Sequence, residues 1–282
     1  MIPAAAGPEK RKVPERMINN ERLAETVRGL VELVARLRGP GGCPWDAKQT
    51  DATIKIYLIE EAYEVLDAIE NGSPDELCSE LGDLFFQVLF LCQLSAERGD
   101  FDFVRVVEKI TEKMVRRHPH VFGKANVANA EEVAVNWNRI KREENGQSES
   151  FSSQLMSVPG NLPALLRSHR LSERASKAGL DWKSAGAVWE KVEEEFRELG
   201  AAVSAGDSNG VSEELGDLLF SLVNLARFWN TNAEELLRMA NRKFLRRFKR
   251  LEKVLNAKGI GMKEATAEQM DLVWEEGKAR GE

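Results

Sequence analysis

The stretch ELGDLFFQVLFL at residues 80–91 recurs as ELGDLLFSLVNL at residues 214–225, with seven identities in twelve positions. Upstream, EEAYEVL at 60–66 recurs as EEFREL at 194–199, and in both copies 19 residues separate the second glutamate of this motif from the glutamate of ELGDL. Two further pairs keep the same order along the chain: EKMVRRH (112–118) with NRKFLRRF (241–248), and VNWNRIK (135–141) with LVWEEGK (272–278). A period of about 130 residues is too long for a solenoid, so the pattern indicates one helical domain that is duplicated.

The remaining pattern is helical. All nine prolines lie at or before Pro163, mostly between periodic runs, and no convincing run of alternating apolar residues is present. Because strands need that alternation, we predict an all-α fold. The predicted helices span roughly 20–38, 53–71, 74–98, 101–117, 130–145, 162–178, 184–204, 208–230, 232–257 and 266–279.

The domain boundaries follow from composition. Residues 145–161 (NGQSESFSSQLMSVPGN) are rich in Ser, Asn, Gly and Gln, which is typical of a linker. We therefore expect a disordered N-terminal extension at 1–19, a first domain at 20–145, a linker at 146–161 and a second domain at 162–282.

Composition excludes several classes of protein. The 282 residues carry a net charge of −6, whereas a general nucleic-acid binder shows a basic excess. The longest apolar stretch, Leu81 to Leu94, contains Asp83, Gln87 and Gln93, so we expect no membrane span. Three cysteines without metal-type spacing fit a reducing cytosol and a cytoplasmic protein. Three histidines in total argue against a histidine-built zinc or di-iron centre.

Each copy carries an EExxE motif followed by an ExxD motif. Residues three or four apart share a helix face, so two antiparallel helices can bring four carboxylates to one spot. EExxE alone is more often a solvated helix face, but Asp83 and Asp217 lie at helical spacing from phenylalanines on an apolar stripe, where an unpaired carboxylate is costly. We name these sets the first acidic cluster (Glu61, Glu64, Glu80 and Asp83) and the second acidic cluster (Glu195, Glu198, Glu214 and Asp217).

The chemistry of the clusters favours a hard metal ion. All candidate ligands are carboxylate oxygens, which suit Mg²⁺ or Mn²⁺, and the Glu-x-x-His motif of di-iron bundles is absent from both clusters. Mg²⁺ commonly completes its coordination with substrate phosphates. The clusters therefore indicate metal-assisted attack of water on a phosphoanhydride.

Basic and aromatic residues follow each acidic cluster. Lys113 and Arg117 match Lys243 and Arg247, and we interpret them as a phosphate clamp, with a solvated helix face as the alternative. Their neighbours Arg116 and Arg246 are expected to be exposed. A tryptophan follows in the last helix of each copy, either as core packing or as a stacking wall for a nucleobase; these are Trp137 and Trp274.

The motifs together resemble the MazG family over about residues 20–278. They are CPWD (43–46), DATI (51–54), LIEEAYEVLDAI (58–69), ELGDLFFQV (80–88), RRHPHVF (116–122) and WNRIK (137–141). The resemblance implies a four-helix bundle completed by dimer contacts, and Mg²⁺-dependent hydrolysis of NTP or dNTP to the monophosphate and pyrophosphate by a homodimer. High apolar content on more than one side of the helix over 74–98 also favours a homodimer.

The resemblance also implies roles for single residues. In the second copy, Mg²⁺ would be bound by Glu195, Glu198, Glu214 and Asp217. Glu194 would be an accessory carboxylate, Lys243 and Arg247 would hold phosphates, and Trp274 would contact the nucleoside. The matching residues of the first copy are Glu61, Glu64, Glu80, Asp83, Lys113, Arg117 and Trp137. One departure is that Leu180-Asp181-Trp182 stands where the first copy has CPWD.

Three functions remain open at this point. The leading one is a nucleoside triphosphate pyrophosphohydrolase of broad base specificity that acts in housecleaning or control of the nucleotide pool. The alternatives are a narrow pyrophosphohydrolase, dUTPase-like or phosphoribosyl-ATP-like, and a nucleotide sensor without turnover. We expect the second copy to be the main catalyst.

Overall fold

A computed structural model describes residues 20–144 and 150–280 of the chain, so the predicted extension at 1–19 lies outside the described residues. Within them the chain is helical and contains no strand, which confirms the all-α prediction. The chain divides into two compact units, Met1–Lys141 and Arg142–Glu282, here called unit 1 and unit 2. The predicted first domain ends at residue 145, close to this division, whereas the predicted second domain begins only at residue 162, so the linker at 146–161 stays a prediction.

The described part of unit 1 contains six helices and a short 3-10 turn at Asp46–Lys48. The helices are α1 (Asn20–Arg38), α2 (Asp51–Asn71), α3 (Pro74–Glu97), α4 (Phe103–Arg117), α5 (Pro119–Phe122) and α6 (Ala130–Glu144). The most extensive packing is between α2 and α3, and α1 packs on α3. The buried core consists of Val34, Ile54, Leu89, Phe90 and Leu94.

Local sequence explains the α2–α3 hairpin. Thr50 and Thr53 form a capping box at the start of α2, and Ser73 and Glu76 form another at the start of α3, where Pro74 fills the first helical position. These caps satisfy backbone N–H groups that have no helical partner. Because only two residues join the helices, α2 and α3 must lie antiparallel.

Unit 2 repeats this arrangement. Its helices are α7 (Phe151–Met156), α8 (Ala164–Lys177), α9 (Ala185–Ala205), α10 (Ser208–Phe228), α11 (Ala233–Ala257) and α12 (Ala267–Ala279). The helix pair α9–α10 packs most extensively, and Gly206 ends α9 in the left-handed region (φ 70°) where glycine is favoured. Asp207 then caps α10 by accepting hydrogen bonds from two backbone N–H groups.

Helix α7 lies inside the segment that the sequence analysis interprets as a linker. Ser150 caps it by accepting a hydrogen bond from the backbone N–H of Ser153, and Val158 just after it is buried. Arg174 of α8 donates to the backbone carbonyl of Gln154 and, at 2.7 Å, to the hydroxyl of Ser157. The sequence does not predict α7 because the segment is polar and has no apolar stripe. Contacts with α8 hold this helix in place.

Helix α3 differs from expectation in one respect. By length and composition it is the one helix of the described residues that could cross a membrane, although the sequence analysis expects no span. Core helices of soluble proteins can have the same length and composition; Leu89, Phe90 and Leu94 of α3 are buried in the unit 1 core, but only 28% of its apolar window is buried.

Candidate active site

The antiparallel pair α2–α3 brings acids of the first cluster together. Carboxylate oxygens of Glu61, Glu64 and Glu80 lie within 4.8 Å of one another. Glu61 and Glu80 are half-buried, whereas Glu64 is exposed. The side-chain amide of Gln87, on α3, donates a hydrogen bond of 3.3 Å to Oε1 of Glu61. Two acids from one helix thus meet one acid from its neighbour, as the spacing predicts.

The pair α9–α10 does the same in unit 2. Carboxylate oxygens of Glu195, Glu214 and Asp217 lie within 4.8 Å of one another. Glu195 is buried at 5% exposure, and Asp217 is exposed. The ammonium of Lys191 lies 2.6 Å from Oε1 of Glu194 and 2.7 Å from Oε1 of Glu195. The most buried acid of this cluster therefore has a cationic partner on its own helix.

Asp83 and Glu198, the two remaining acids of the clusters, stand outside these tight groups, and both are exposed. They still act on the clusters electrostatically, Asp83 on Glu61 and Glu80, and Glu198 on Glu214. The expectation that the ExxD aspartates face the core is wrong. Only part of the apolar face of each helix packs against the core. The aspartates lie on the part of that face that remains exposed.

Burial and nearby charges raise the pKa values of two acids in the first cluster. Burial is the largest cause that raises the pKa of Glu61, and the charges of Asp83 and Glu64 raise it further, while the hydrogen bond from Gln87 opposes the rise. Burial also raises the pKa of Glu80, followed by the nearby charge of Glu64. Burial and nearby like charges both disfavour the charged form of a carboxylate, so the two effects act in the same direction here.

The second cluster is balanced differently. Burial raises the pKa of Glu214, and the charges of Glu198 and Glu195 add to it. Hydrogen bonds to Glu194 and Glu195 raise the pKa of Lys191, and the same lysine lowers the pKa of Glu194. Each cluster is an all-oxygen donor set with excess negative charge, and such a set fits a hard divalent cation.

The predicted phosphate clamps lie on other helices. Lys113 lies on α4, which packs against α3 and α5, and Lys243 lies on α11, which packs against α12, α8 and α10. Within residues 20–144 and 150–280, neither lysine forms an ion pair with an acidic cluster. Arg116 and Arg246 are exposed as expected, whereas their neighbours Arg117 and Arg247 are half-buried.

The two predicted tryptophans have different surroundings. The guanidinium of Arg117 lies 5.3 Å from the ring centroid of Trp137, and the imidazole of His118 meets the same indole edge-on at 5.0 Å. Trp274 instead lies 5.4 Å from the ring of Phe244 and packs against the buried core of unit 2. Both tryptophans are half-buried, so packing and ligand contact are compatible for each of them.

The loops before each helix pair are anchored by arginines, although their sequences differ. In the CPWD loop, Arg38 donates to the backbone carbonyls of Asp46 (2.6 Å) and Gln49 (3.2 Å) and pairs with Glu97 at 2.7 Å. In unit 2, Arg227 of α10 pairs with the carboxylate of Asp181. Both loops are thus fixed to the unit that carries the cluster, but through different groups.

Sequence reasoning missed several polar and aromatic partners of the site. Lys191 lies one turn before Glu195, so the i,i+4 rule could have found it. Gln87 lies four residues after Asp83, and its role becomes visible only once the neighbouring helix is in place. The positions of His118 and Phe244 depend on contacts between helices, which no spacing within one helix encodes.

The chain is thus a duplicated all-α protein whose acids can bind a divalent metal. Each acidic cluster lies on an antiparallel helix pair and is followed by a basic helix. Its sequence matches the model of the MazG nucleotide pyrophosphohydrolase domain twice, over residues 49–122 and 184–251. The chain therefore belongs to the MazG nucleotide pyrophosphohydrolase family of enzymes, which confirms the resemblance found in the sequence.

Named relatives agree with this family. A nucleoside triphosphate pyrophosphohydrolase of Escherichia coli (strain K12) is 45% identical over 250 residues, covering 88% of this chain and 95% of the relative. A nucleoside triphosphate pyrophosphohydrolase/pyrophosphatase MazG of Thermotoga maritima is 42% identical over 253 residues, covering 90% and 96%. A nucleoside triphosphate pyrophosphohydrolase of Mycobacterium tuberculosis is 33% identical over 178 residues, covering 62% and 51%.

Proposed function

We propose that this protein hydrolyses nucleoside triphosphates, both NTP and dNTP with broad base specificity, to the monophosphate and pyrophosphate in the presence of Mg²⁺, for which Mn²⁺ can substitute. The observation that carries the proposal is the convergence of carboxylates from two antiparallel helices, found in both units. The names of the relatives agree with this activity. A role in housecleaning or control of the nucleotide pool follows from broad specificity.

The proposed roles of the residues follow from their chemistry. The second acidic cluster holds the metal, and the first cluster offers a matching set of ligands. When bound, the ion neutralises charge on the phosphates and polarises the phosphorus that water attacks. Glu194, adjacent to Glu195, orients the water. Lys243 and Arg247 hold phosphate oxygens, as a point charge and a fork, and Trp274 offers a face to the nucleoside.

We propose that the functional assembly is a homodimer. Large apolar side chains are exposed along the helices that carry the acids, including Ile59, Leu66 and Ile69 on α2 and Phe196 on α9. Exposed apolar surface of this extent is typical of an interface. Lys243, which forms no ion pair with the second cluster within the described residues of its own chain, could then serve the cluster of a second copy.

The composition of the chain supports a small-molecule partner and a cytoplasmic location. The net charge of −6 favours a nucleotide over a nucleic-acid polymer as the partner. Cys43, Cys78 and Cys92 are free thiols, which agrees with a cytoplasmic location.

The test is pyrophosphate release from a mixture of nucleoside triphosphates with and without Mg²⁺. We expect pyrophosphate release from the triphosphates of all bases with Mg²⁺, and no release with EDTA. Release from a single nucleotide would favour the narrow enzyme, and tight binding without release would favour the sensor; either outcome contradicts the proposal.

A matched variant links that activity to the second cluster. Asp217→Asn removes a charge at nearly constant volume from an exposed position, so we expect unchanged helicity by circular dichroism and turnover below a tenth of the wild-type rate at saturating Mg²⁺. Retention of more than a tenth of the turnover would remove Asp217 from the site.

A further inference from the structure

The two acidic clusters differ at their most buried carboxylate on the first helix of each pair. In unit 2, Glu195 has the ammonium of Lys191 at 2.7 Å. In unit 1, the corresponding Glu61 has the neutral amide of Gln87 at 3.3 Å. One cluster therefore contains a fixed positive charge beside its ligand set, and the other contains a neutral hydrogen-bond donor.

The sequence makes this difference a property of each copy. Lys191 lies four residues before Glu195, and Tyr57 stands at that distance before Glu61. The ring of Tyr57 lies 6.0 Å from that of Trp45 and packs against the unit 1 core, so it brings no charge to the first cluster. The charged partner of Glu195 and the neutral partner of Glu61 are therefore set by the sequence of each copy.

A fixed ammonium changes what the second cluster offers to a divalent cation. Lys191 shares the oxygens of Glu195 and Glu194, so a cation that uses Glu195 must displace the ammonium or lie close to it. The repulsion between one and two positive charges about 5 Å apart lowers affinity by about tenfold even at the dielectric constant of water. The half-exposed position of Lys191 keeps the effect near this lower value.

We infer that Lys191 is an internal counter-ion of the second acidic cluster, which keeps that cluster's affinity for a free divalent cation below that of the first cluster. This inference rests on the metal-binding part of the proposed function. Its consequence is a division between the units: the first cluster is loaded with cation at a lower concentration, and the second holds a cation weakly unless a further ligand, such as the substrate, adds negative charge.

The experiment measures Mn²⁺ binding to the full chain without nucleotide, by the electron paramagnetic resonance signal of free Mn²⁺. Two chains isolate the sites: Glu61→Gln with Glu80→Gln leaves the second cluster, and Glu195→Gln with Glu214→Gln leaves the first. We expect the chain with the first cluster to bind Mn²⁺ about tenfold more tightly. Equal affinities, or tighter binding by the second cluster, would overturn the inference.

Removal of the ammonium is the decisive step. In the chain that retains the second cluster, Lys191→Met should tighten Mn²⁺ binding by about tenfold, and Lys191→Arg should leave it weak because the charge remains. Lys177→Met is the matched control, since Lys177 pairs with Glu173 at 2.8 Å and the same i,i+4 spacing but lies on α8. It should not change the affinity.

Two further outcomes separate this inference from the proposed function. If Lys191→Met leaves Mn²⁺ affinity unchanged or lowers it while helicity is retained, the counter-ion role is wrong but the metal site stands. If neither isolated cluster binds Mn²⁺, the metal site of the proposed function fails together with the inference. Lys191→Gln, which keeps a polar head group, serves as the test should Lys191→Met fail to fold.

Discussion

Carboxylates that converge in a helical protein oppose its stability, and both clusters carry this cost. In unit 2, burial and the charges of Glu198 and Glu195 raise the pKa of Glu214, which means that the folded protein disfavours the charged form. A carboxylate whose charged form the fold disfavours does not stabilise the folded protein at neutral pH, and a bound cation would offset its cost.

We predict that Glu214→Gln stabilises the protein at neutral pH when metal is removed with EDTA. The folded pKa of Glu214 lies above its ordinary value of 4.5, so the folded state binds more protons and stability falls as pH rises through this window. The variant should therefore melt at a higher temperature than wild type at pH 7, and the difference should shrink towards pH 4.

Thermal unfolding in EDTA at pH 7 and pH 4 measures the difference in melting temperature between the variant and wild type. Glu252→Gln, at an exposed position of α11, is the control for loss of one negative charge elsewhere. A variant Glu214→Gln that melts below wild type at pH 7 would show that the carboxylate stabilises the fold.

At the scale of single elements, apolar periodicity predicted every long helix, and local caps explain the errors at the ends. Helix α2 begins at Asp51 instead of 53 because Thr50 and Thr53 form a capping box, and α4 begins at Phe103 because Asp102 accepts the hydrogen bond of the Arg105 N–H. Short helices such as α5 and α7 were not predicted, since four or six residues show no periodicity.

The same limit applies to the candidate site. The acids could be predicted because each pair lies on one helix, where spacing fixes the face. The contact of Gln87 with Glu61 joins two helices, and the exposure of Asp83 depends on how much of α3 the rest of unit 1 covers. Neither quantity is encoded in the periodicity of a single segment.

We predict that Ser73→Ala destabilises unit 1 by about 1 kcal/mol, the usual effect of losing an N-cap. Ser73 accepts the Glu76 backbone N–H at 3.2 Å, and its own N–H donates to the Glu76 carboxylate at 2.6 Å. Urea denaturation followed by circular dichroism measures the change. Ser79→Ala, in the exposed interior of α3, should be neutral or slightly stabilising, and an equal loss there would argue against the cap.

At the scale of the whole molecule, we expect a second copy of the chain to bury the exposed apolar side chains of α2 and α9. We predict a mass of about twice 31.6 kDa by light scattering at micromolar concentration. Phe196→Glu, at a side chain that is 66% exposed on α9, should shift the mass towards one chain because it places a charge in the interface. Met156→Glu, at 85% exposure on α7, is the control. A wild-type mass near 31.6 kDa would contradict the homodimer.

Duplication raises the question of which unit performs the reaction. Both keep the four acids, but their surroundings have diverged. In unit 1 the indole of Trp137 already contacts Arg117 and His118, so a nucleobase would have to compete with them. In unit 2 the ring beside Trp274 is that of Phe244, an apolar neighbour on α11. These contacts and the family resemblance favour unit 2.

We therefore predict that paired substitutions in the two units have unequal effects on the full chain. Glu64→Gln with Asp83→Asn should keep most of the hydrolysis of nucleoside triphosphates, because it alters only the first cluster. Glu198→Gln with Asp217→Asn should lose nearly all of it, because the second cluster would no longer hold the cation that activates the phosphate. Pyrophosphate release at saturating Mg²⁺ measures both, with helicity as the control for folding. If the second pair retains half or more of the activity, the first cluster is a catalyst in its own right.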